Sequence, residues 1–250
     1  MCLLIVLWRA HPDLAVVVGA NRDERLDRPA TPMTVLNQAD PRVFGGRDEV
    51  AGGTWFALNE HGVFAGLTNR PPGEGGYPVK RSRGELPLAL ACHRSAAEAV
   101  EAFAVRFDPV DYNPAWILAG DRDDLFAVDM TGTGSPEVRP LTPGLHIVEN
   151  HPPGTETPKV ARVRALLAGL ETLSAEAVVA RLQTVLADHQ PAATGERAAM
   201  SAPCVHAEGY GTRWSGIVTQ TVSAAPPRFW YTGGPPCTTP WQCGVRLESP

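Results

Sequence analysis

Two apolar runs at the start of the chain lack polar alternation, and this feature constrains the fold most. Cys2–Ala10 and Leu14–Ala20 are aliphatic and β-branched, and His11-Pro12-Asp13 between them is typical of a turn. Thr54–Leu58 and Val63–Thr68 form a second pair of the same kind. Two antiparallel hairpins are therefore predicted. Because their strands are apolar on both sides, other parts of the chain must cover both faces.

Helical and further strand patterns extend this picture. Ser95 precedes one helix with Glu98 three residues later, the spacing of a capping box. Helices are predicted at Ser82–His93, Ser95–Phe107, Pro158–Leu170 and Ser174–His189. Further strands are predicted at Ala115–Ala119, Leu125–Met130, Leu145–Glu149, Ser215–Ser223 and Arg228–Tyr231. Residues 190–202 are the most linker-like stretch. We predict an α+β fold, a four-layer α/β/β/α sandwich in one domain over residues 1–250. A plain β-sandwich leaves the two helix pairs without a place.

Composition excludes several classes of protein. Of 250 residues, 44% are hydrophobic and 20% charged, which is enough apolar material for a substantial core. The net charge of −5 and the lack of a Lys/Arg run argue against nucleic acid or an anionic membrane as partner. The apolar run Leu3–Trp8 is too short for a membrane helix and has no basic region before it. With only five scattered cysteines, we expect a cytoplasmic protein without membrane insertion.

Cys2 is the residue with the clearest chemical potential. If Met1 is removed, the chain starts with a cysteine, which carries a nucleophile and a candidate general base, the α-amine, on one residue. An α-amine has a pKa of about 7.7–8.0, so part of it is free base at neutral pH. General-base catalysis favours such a pKa. The alternative is that Cys2 only begins a buried strand, as unreactive cysteines often do.

The first hairpin predicts which residues lie beside Cys2. A turn centred on Pro12 pairs residues whose numbers add up to 24, which sets Cys2 opposite Arg22. A turn shifted by half a residue sets it opposite Asn21 or Asp23 instead. A guanidinium there would lower the pKa of the thiol and orient a substrate carbonyl. The alternative is a plain polar strand end.

Six motifs in order resemble the NRDE family, also known as the transport and Golgi organization 2 family. The resemblance runs from residue 2 to about residue 220. Its motifs are Cys2, Ala20-Asn21-Arg22-Asp23-Glu24, Gly52-Gly53-Thr54-Trp55, Leu67-Thr68-Asn69, Ser82-Arg83-Gly84-Glu85-Leu86 and Gly209-Tyr210-Gly211-Thr212-Arg213. The family is similar to N-terminal nucleophile (Ntn) hydrolases, which share the αββα fold.

The resemblance implies roles for individual residues. By likeness to cysteine amidases of the bile-salt hydrolase and penicillin V acylase type, Cys2 is the nucleophile. Asn69 and Asn150 match asparagines near the oxyanion, and Arg213 matches an active-site arginine. The segment at residues 21–23 takes the place of an Arg-Asn-x-Asp segment, with its arginine displaced by one residue. Whether Asn21 or Arg22 faces the thiol stays open.

The predicted function is hydrolysis or acyl transfer at an amide, ester or thioester bond of a small acylated molecule, through an acyl-Cys2 intermediate. The alternative is a non-catalytic carrier of haem, acyl-CoA or another lipid, with His146, His151 or His206 as a candidate axial ligand. No cofactor is expected, and the lack of a CxxCH motif argues against covalent haem. No metal is predicted, because neither Cys204-Val205-His206 nor the pair Cys237 and Cys243 has a common zinc spacing.

Overall fold

The computed structural model describes residues 3–71, 79–223 and 225–244. The chain divides into two compact units, one made of the residues up to Arg28 with the segment from Pro143 to Arg246, the other built on Pro29–Thr142. The single domain predicted for residues 1–250 stays a prediction.

Fourteen strands and four α-helices lie within the described residues. They are β1 (Leu3–Trp8), β2 (Leu14–Arg25), β3 (Ala30–Asn37), β4 (Val43–Asp48), β5 (Phe56–Asn59), β6 (Phe64–Asn69), α1 (Glu85–Ala91), α2 (Ala96–Arg106), β7 (Ala115–Gly120), β8 (Leu125–Asp129), β9 (Glu137–Pro140), β10 (Gly144–Val148), α3 (Pro158–Leu166), α4 (Ala175–Leu186), β11 (His206–Ala207), β12 (Tyr210–Thr221), β13 (Arg228–Thr232) and β14 (Gln242–Cys243).

The first unit is an antiparallel sheet with a helix pair on one face. Its strand order is β10-β1-β2-β12-β13-β14, with β11 paired to β12. The odd-numbered residues of β1, such as Leu3 and Ile5, are buried in one apolar cluster with Val163 of α3 and Leu182 of α4. Since side chains alternate along a strand, the even-numbered residues of β1 face away from these helices. Those residues are buried as well, which is why the sequence shows no alternation.

The second unit repeats this plan with a separate sheet. Its strands follow chain order, β3-β4-β5-β6-β7-β8-β9, and each neighbouring pair is antiparallel. Leu67 of β6 and Ile117 of β7 pack with Leu86 of α1 and Phe103 of α2. Within the described part of the chain, no helix is both long and apolar enough to cross a membrane.

The start of α2 uses the cap that the sequence predicts. The side chain of Ser95 accepts a hydrogen bond from the backbone N–H of Glu98, at 3.2 Å. The carboxylate of Glu98 in turn accepts from the N–H of Arg94 rather than from that of Ser95, so the second half of the capping box is displaced by one residue. Thr157 and Ser174 cap α3 and α4 in the same way. The predicted N-cap at Ser95 is confirmed.

Several strands depart from the sequence prediction. The strands β3, β4 and β9 were not predicted. Of these, β3 is half-buried throughout and β9 is mostly exposed, so neither of the two has an apolar pattern. The strand β2 continues through the NRDE segment to Arg25, beyond the predicted end at Ala20. The strand β12 begins at Tyr210, before the predicted start at Ser215. Each of the two extensions comes from the long pairing between β2 and β12.

Two of the family motifs meet through their glycines. The N–H of Thr54 donates to the carbonyl of Gly84 at 2.8 Å. A Cβ placed on Gly53 would lie 2.5 Å from the carbonyl carbon of Gly84, closer than any real contact. Gly52, with a φ of 72°, takes a backbone conformation that suits glycine. These glycines therefore serve a turn and a close backbone approach in the second unit.

Candidate active site

The N-terminal hairpin has the predicted register. Its described pairs run from Leu3 opposite Asn21 to Trp8 opposite Val16, and their numbers add up to 24. The turn is held by His11, whose Nδ1 accepts from the backbone N–H groups of Asp13 and Leu14, at 3.1 and 3.2 Å. Cys2, the proposed nucleophile, lies outside the described residues.

The NRDE segment forms the end of β2, and its odd-numbered residues face the helices. Asn21 is fully buried. Its Nδ2 donates to the carbonyls of Leu186, at the end of α4, and of Pro203, at 2.9 and 2.8 Å. Its Oδ1 accepts from the hydroxyl of Ser215 on the neighbouring strand β12. The side chain therefore joins the sheet to the segment that follows α4.

Asp23 takes the next position on this face and is linked to the same segment through Thr212. Its Oδ1 accepts from the hydroxyl of Thr212, its partner in β12. The Thr212 hydroxyl also accepts from the N–H of Val205, at 2.8 Å, and the Tyr210 hydroxyl donates to the carbonyl of Asp23, at 3.1 Å. Asp23 thus lies within a buried hydrogen-bond network that ties β2 to β12.

Arg22 points to the other face of the sheet, because it lies between these two residues in a continuous strand. Its side chain is only 3% exposed. One nitrogen, Nη2, lies 3.5 Å from Oε2 of Glu24, and the Nε of Arg28 lies 3.8 Å from the same oxygen. The NRDE segment therefore divides into two helix-side residues and, on the opposite face, a buried Arg22 paired with a partly exposed Glu24.

Arg213 holds the point where β2 ends. It lies at an irregularity in the pairing of β12 with β2, and its guanidinium donates to the carbonyls of Arg25 and Leu26. The motif that contains it therefore lies directly alongside the NRDE segment, with Thr212 opposite Asp23. Two family motifs far apart in sequence are neighbours in the sheet.

The two asparagines implied by the resemblance lie in different units. Asn150 follows β10, which pairs with β1 so that Leu4 is opposite Val148. It therefore lies at the same end of the sheet as the NRDE segment. Asn69 is the last residue of β6 in the second unit, opposite Ala115. The catalytic roles of both asparagines stay predictions.

Two other thiols are poorly suited to act as nucleophiles. Burial raises the pKa of the Cys92 thiol. Burial, with the neighbouring Cys237, raises the pKa of Cys204 to about 12. Since the thiolate is the reactive form, burial makes both thiols weaker nucleophiles at neutral pH.

A group of sulfur and imidazole ligands lies beside this sheet, and the sequence did not predict it. The Sγ of Cys204 lies 3.8 Å from that of Cys237 and 3.6 Å from Nε2 of His206. His189, His206 and Cys237 have potential ligand atoms that all lie within 4.8 Å of one another. The sequence did not predict His189 as a ligand. The chain spacings of these residues carry no zinc signature, so only the fold could reveal the group.

Solved structures with a similar fold are hydrolases. An N-acylethanolamine-hydrolyzing acid amidase ortholog from Caenorhabditis elegans is 14% identical, with a TM-score of 0.56 over 86% of this chain and 92% of that one. Two variants of the conjugated bile acid hydrolase from Clostridium perfringens are also similar. One is 12% identical, with a TM-score of 0.55 over 99% of this chain and 98% of that one. The other is 13% identical, with a TM-score of 0.56 over 98% of this chain and 97% of that one. At such identities the likeness concerns the fold, and the predicted Ntn-hydrolase fold class is confirmed.

The sequence comparisons identify the family. No curated protein matches this chain significantly. The family model described as Transport and Golgi organisation 2 matches residues 1–224, nearly nine-tenths of the chain and all six motifs of the predicted resemblance. The chain belongs to the Transport and Golgi organisation 2 family.

Proposed function

We propose that this protein is an N-terminal cysteine hydrolase or acyltransferase that cleaves an amide bond, or an ester or thioester, of a small acylated molecule. Its fold, similar to that of an acid amidase and a bile acid hydrolase, supports amide chemistry. In this proposal Met1 is removed and Cys2 is the nucleophile.

The register of β1 with both of its neighbours carries the proposal. The numbers of its pairs with β2 add up to 24, and those of its pairs with β10 add up to 152. If both pairings continued one residue past Leu3, position 2 would lie between Arg22 and Asn150. Even-numbered positions of β1 share a face with Arg22, so a thiol at position 2 would lie on the face of the buried cation.

The reaction needs only groups of the chain and water. The Cys2 thiol gives its proton to the α-amine, and Sγ attacks the substrate carbonyl carbon. The amine returns the proton to the leaving nitrogen as the C–N bond breaks, which leaves an acyl thioester. Water, deprotonated by the same amine, then attacks the thioester and releases the acid and the thiol. An acceptor amine or alcohol in place of water gives acyl transfer.

The surrounding residues divide these tasks. Arg22 favours the thiolate by its charge. The side-chain amide of Asn150 donates to the developing oxyanion, a contribution of about 3–4 kcal/mol to the transition state. Asn21 and Asp23 act as positioning residues in this scheme, because their side chains are engaged on the helix side of the sheet.

Trapping the acyl-enzyme tests the proposal. Purified protein is mixed with a panel of N-acyl amides and p-nitrophenyl esters, quenched with acid and examined by intact mass. We expect a chain without Met1 that gains one acyl group, located on the N-terminal peptide. The variant Cys2→Ala should gain none and release no product, while Cys243→Ser, which removes an exposed cysteine, should behave as wild type.

A retained Met1, or equal acylation of wild type and Cys2→Ala, would contradict the proposal. In that case binding of haem and acyl-CoA should be measured, since the carrier function does not require a free N-terminal amine.

A further inference from the structure

We propose that Cys204, Cys237, His206 and His189 bind one zinc ion at a structural tetrahedral site. The four residues all lie in the first unit. His189, His206 and Cys237 form one group of potential ligands, and Cys204 contacts His206 and Cys237, so together they offer two thiolates and two imidazoles. Two thiolates balance the charge of Zn²⁺, and Cys₂His₂ is a common ligand set of closed structural zinc sites. The inference is independent of the proposed hydrolase activity.

The distances among the ligand atoms of Cys204, Cys237 and His206 fit this geometry, and the ligand nitrogen of His189 lies within 4.8 Å of the ligand atoms of His206 and Cys237. With Zn–S bonds of about 2.3 Å, the two sulfurs of a tetrahedral site lie about 3.8 Å apart, and a sulfur and a nitrogen ligand about 3.5 Å apart. The sulfurs of Cys204 and Cys237 are 3.8 Å apart. The Nε2 of His206 is 3.6 Å from the first sulfur and 3.2 Å from the second. A disulfide would need the sulfurs to approach to about 2.05 Å.

Hydrogen-bonded backbone supports three of the ligands. The N–H of Cys204 donates to the carbonyl of Asp188 at 2.9 Å, which holds this cysteine beside the residue that precedes His189. His206 belongs to the short strand β11, opposite Gly211. Cys237 lies in a turn closed by N–H groups that donate to the carbonyl of Pro235. Such hydrogen bonds hold the ligands in position before the metal binds.

The location suggests what the ion does. Asn21 binds the carbonyl of Pro203, and Thr212 accepts from the N–H of Val205, so the segment around Cys204 is attached to the NRDE strand. Cys237 comes from the part of the chain after residue 224, where the family match ends. A zinc ion here would fasten this later segment to the family core.

Metal content is the direct test. Protein without a histidine tag is expressed in zinc-containing medium, purified without chelators and analysed by elemental mass spectrometry. We expect one zinc per chain in the wild type and in Cys243→Ser, and loss of the metal in Cys204→Ser, Cys237→Ser and His206→Asn. Circular dichroism checks that each variant is folded.

If a variant does not fold, experiments on the wild-type protein still test the proposal. A strong chelator should remove one zinc ion per chain, measured by elemental mass spectrometry after buffer exchange. Cobalt(II) added afterwards should give thiolate-to-metal charge-transfer absorption. Wild-type protein that holds no metal and gives no such absorption with cobalt would overturn the proposal, as would a Cys204–Cys237 disulfide in the purified chain. Zinc retained in the double variant Cys204→Ser/Cys237→Ser would place the metal elsewhere and also overturn it.

Discussion

The hydroxyl of Ser215 donates a hydrogen bond to Oδ1 of Asn21 across the pairing of β12 with β2. Both residues are fully buried. The bond orients the amide so that Nδ2 faces the carbonyls of Leu186 and Pro203. The first residue of the NRDE motif therefore holds three chain segments together, which gives it a structural role whatever the chemistry nearby.

Asn21→Asp should lower the free energy of unfolding by about 3 kcal/mol, because it replaces a donor with an acceptor facing two carbonyls and leaves both unsatisfied. Ser215→Ala removes one hydrogen bond and should cost about 1 kcal/mol. Urea denaturation of the two variants beside the wild type measures the difference. Equal stabilities of Asn21→Asp and Ser215→Ala would contradict the assigned role of the amide.

Gly53→Ala should destabilise the chain by about 1–3 kcal/mol, because its Cβ would press into the backbone of Gly84 rather than into a movable side chain. Gly132 is a matched control, since a Cβ there meets nothing within 4 Å. Gly132→Ala should therefore change stability by less than about 0.5 kcal/mol. Thermal unfolding of both variants measures the difference in stability. A stability of Gly53→Ala equal to that of the wild type would argue against the close contact between the two motifs.

The N-terminal hairpin was predictable because its turn is short. A turn centred on Pro12 leaves few registers, and the described pairs follow the predicted one. The division of the NRDE segment between two faces was not predictable, since half a residue in that turn exchanges Asn21 with Arg22. The register and the hydrogen bonds of Asn21 are needed to decide which residue faces the helices.

Other features depend on contacts between residues far apart in the chain. The exposed strand β9 has no apolar pattern and forms only because β8 offers a free edge. The approach of Cys204 to Cys237 depends on the course of β12 and β13, and no short motif records it. Local pattern therefore predicted the central strands and the helices, while edge strands and the thiol–imidazole group required the folded chain.

Tyr112 should make stability fall at alkaline pH. Burial and its hydrogen bond to Glu85, at 2.8 Å, raise the pKa of this phenol above its ordinary value. The unfolded chain then loses the proton first, from about pH 10. The stabilisation is therefore complete below about pH 10 and is lost as the pH rises toward the folded-state pKa. Urea denaturation across this range should show a weaker decline in Tyr112→Phe, and an identical decline would contradict the assignment.

The charge of Arg22 should control the reactivity of Cys2 if the proposed function is correct. Arg22→Gln removes a buried cation from the face that position 2 would share, so the pKa of the Cys2 thiol should rise. Alkylation of the N-terminal peptide by iodoacetamide, followed by mass spectrometry over a range of pH, should then need a higher pH for the same rate. Glu24→Gln removes the carboxylate paired with this cation, and its profile should move to lower pH or stay in place. An unchanged pH dependence of alkylation in Arg22→Gln would show that the arginine does not act on the thiol. Asn150 would then be the remaining neighbour of the thiol in the proposed site.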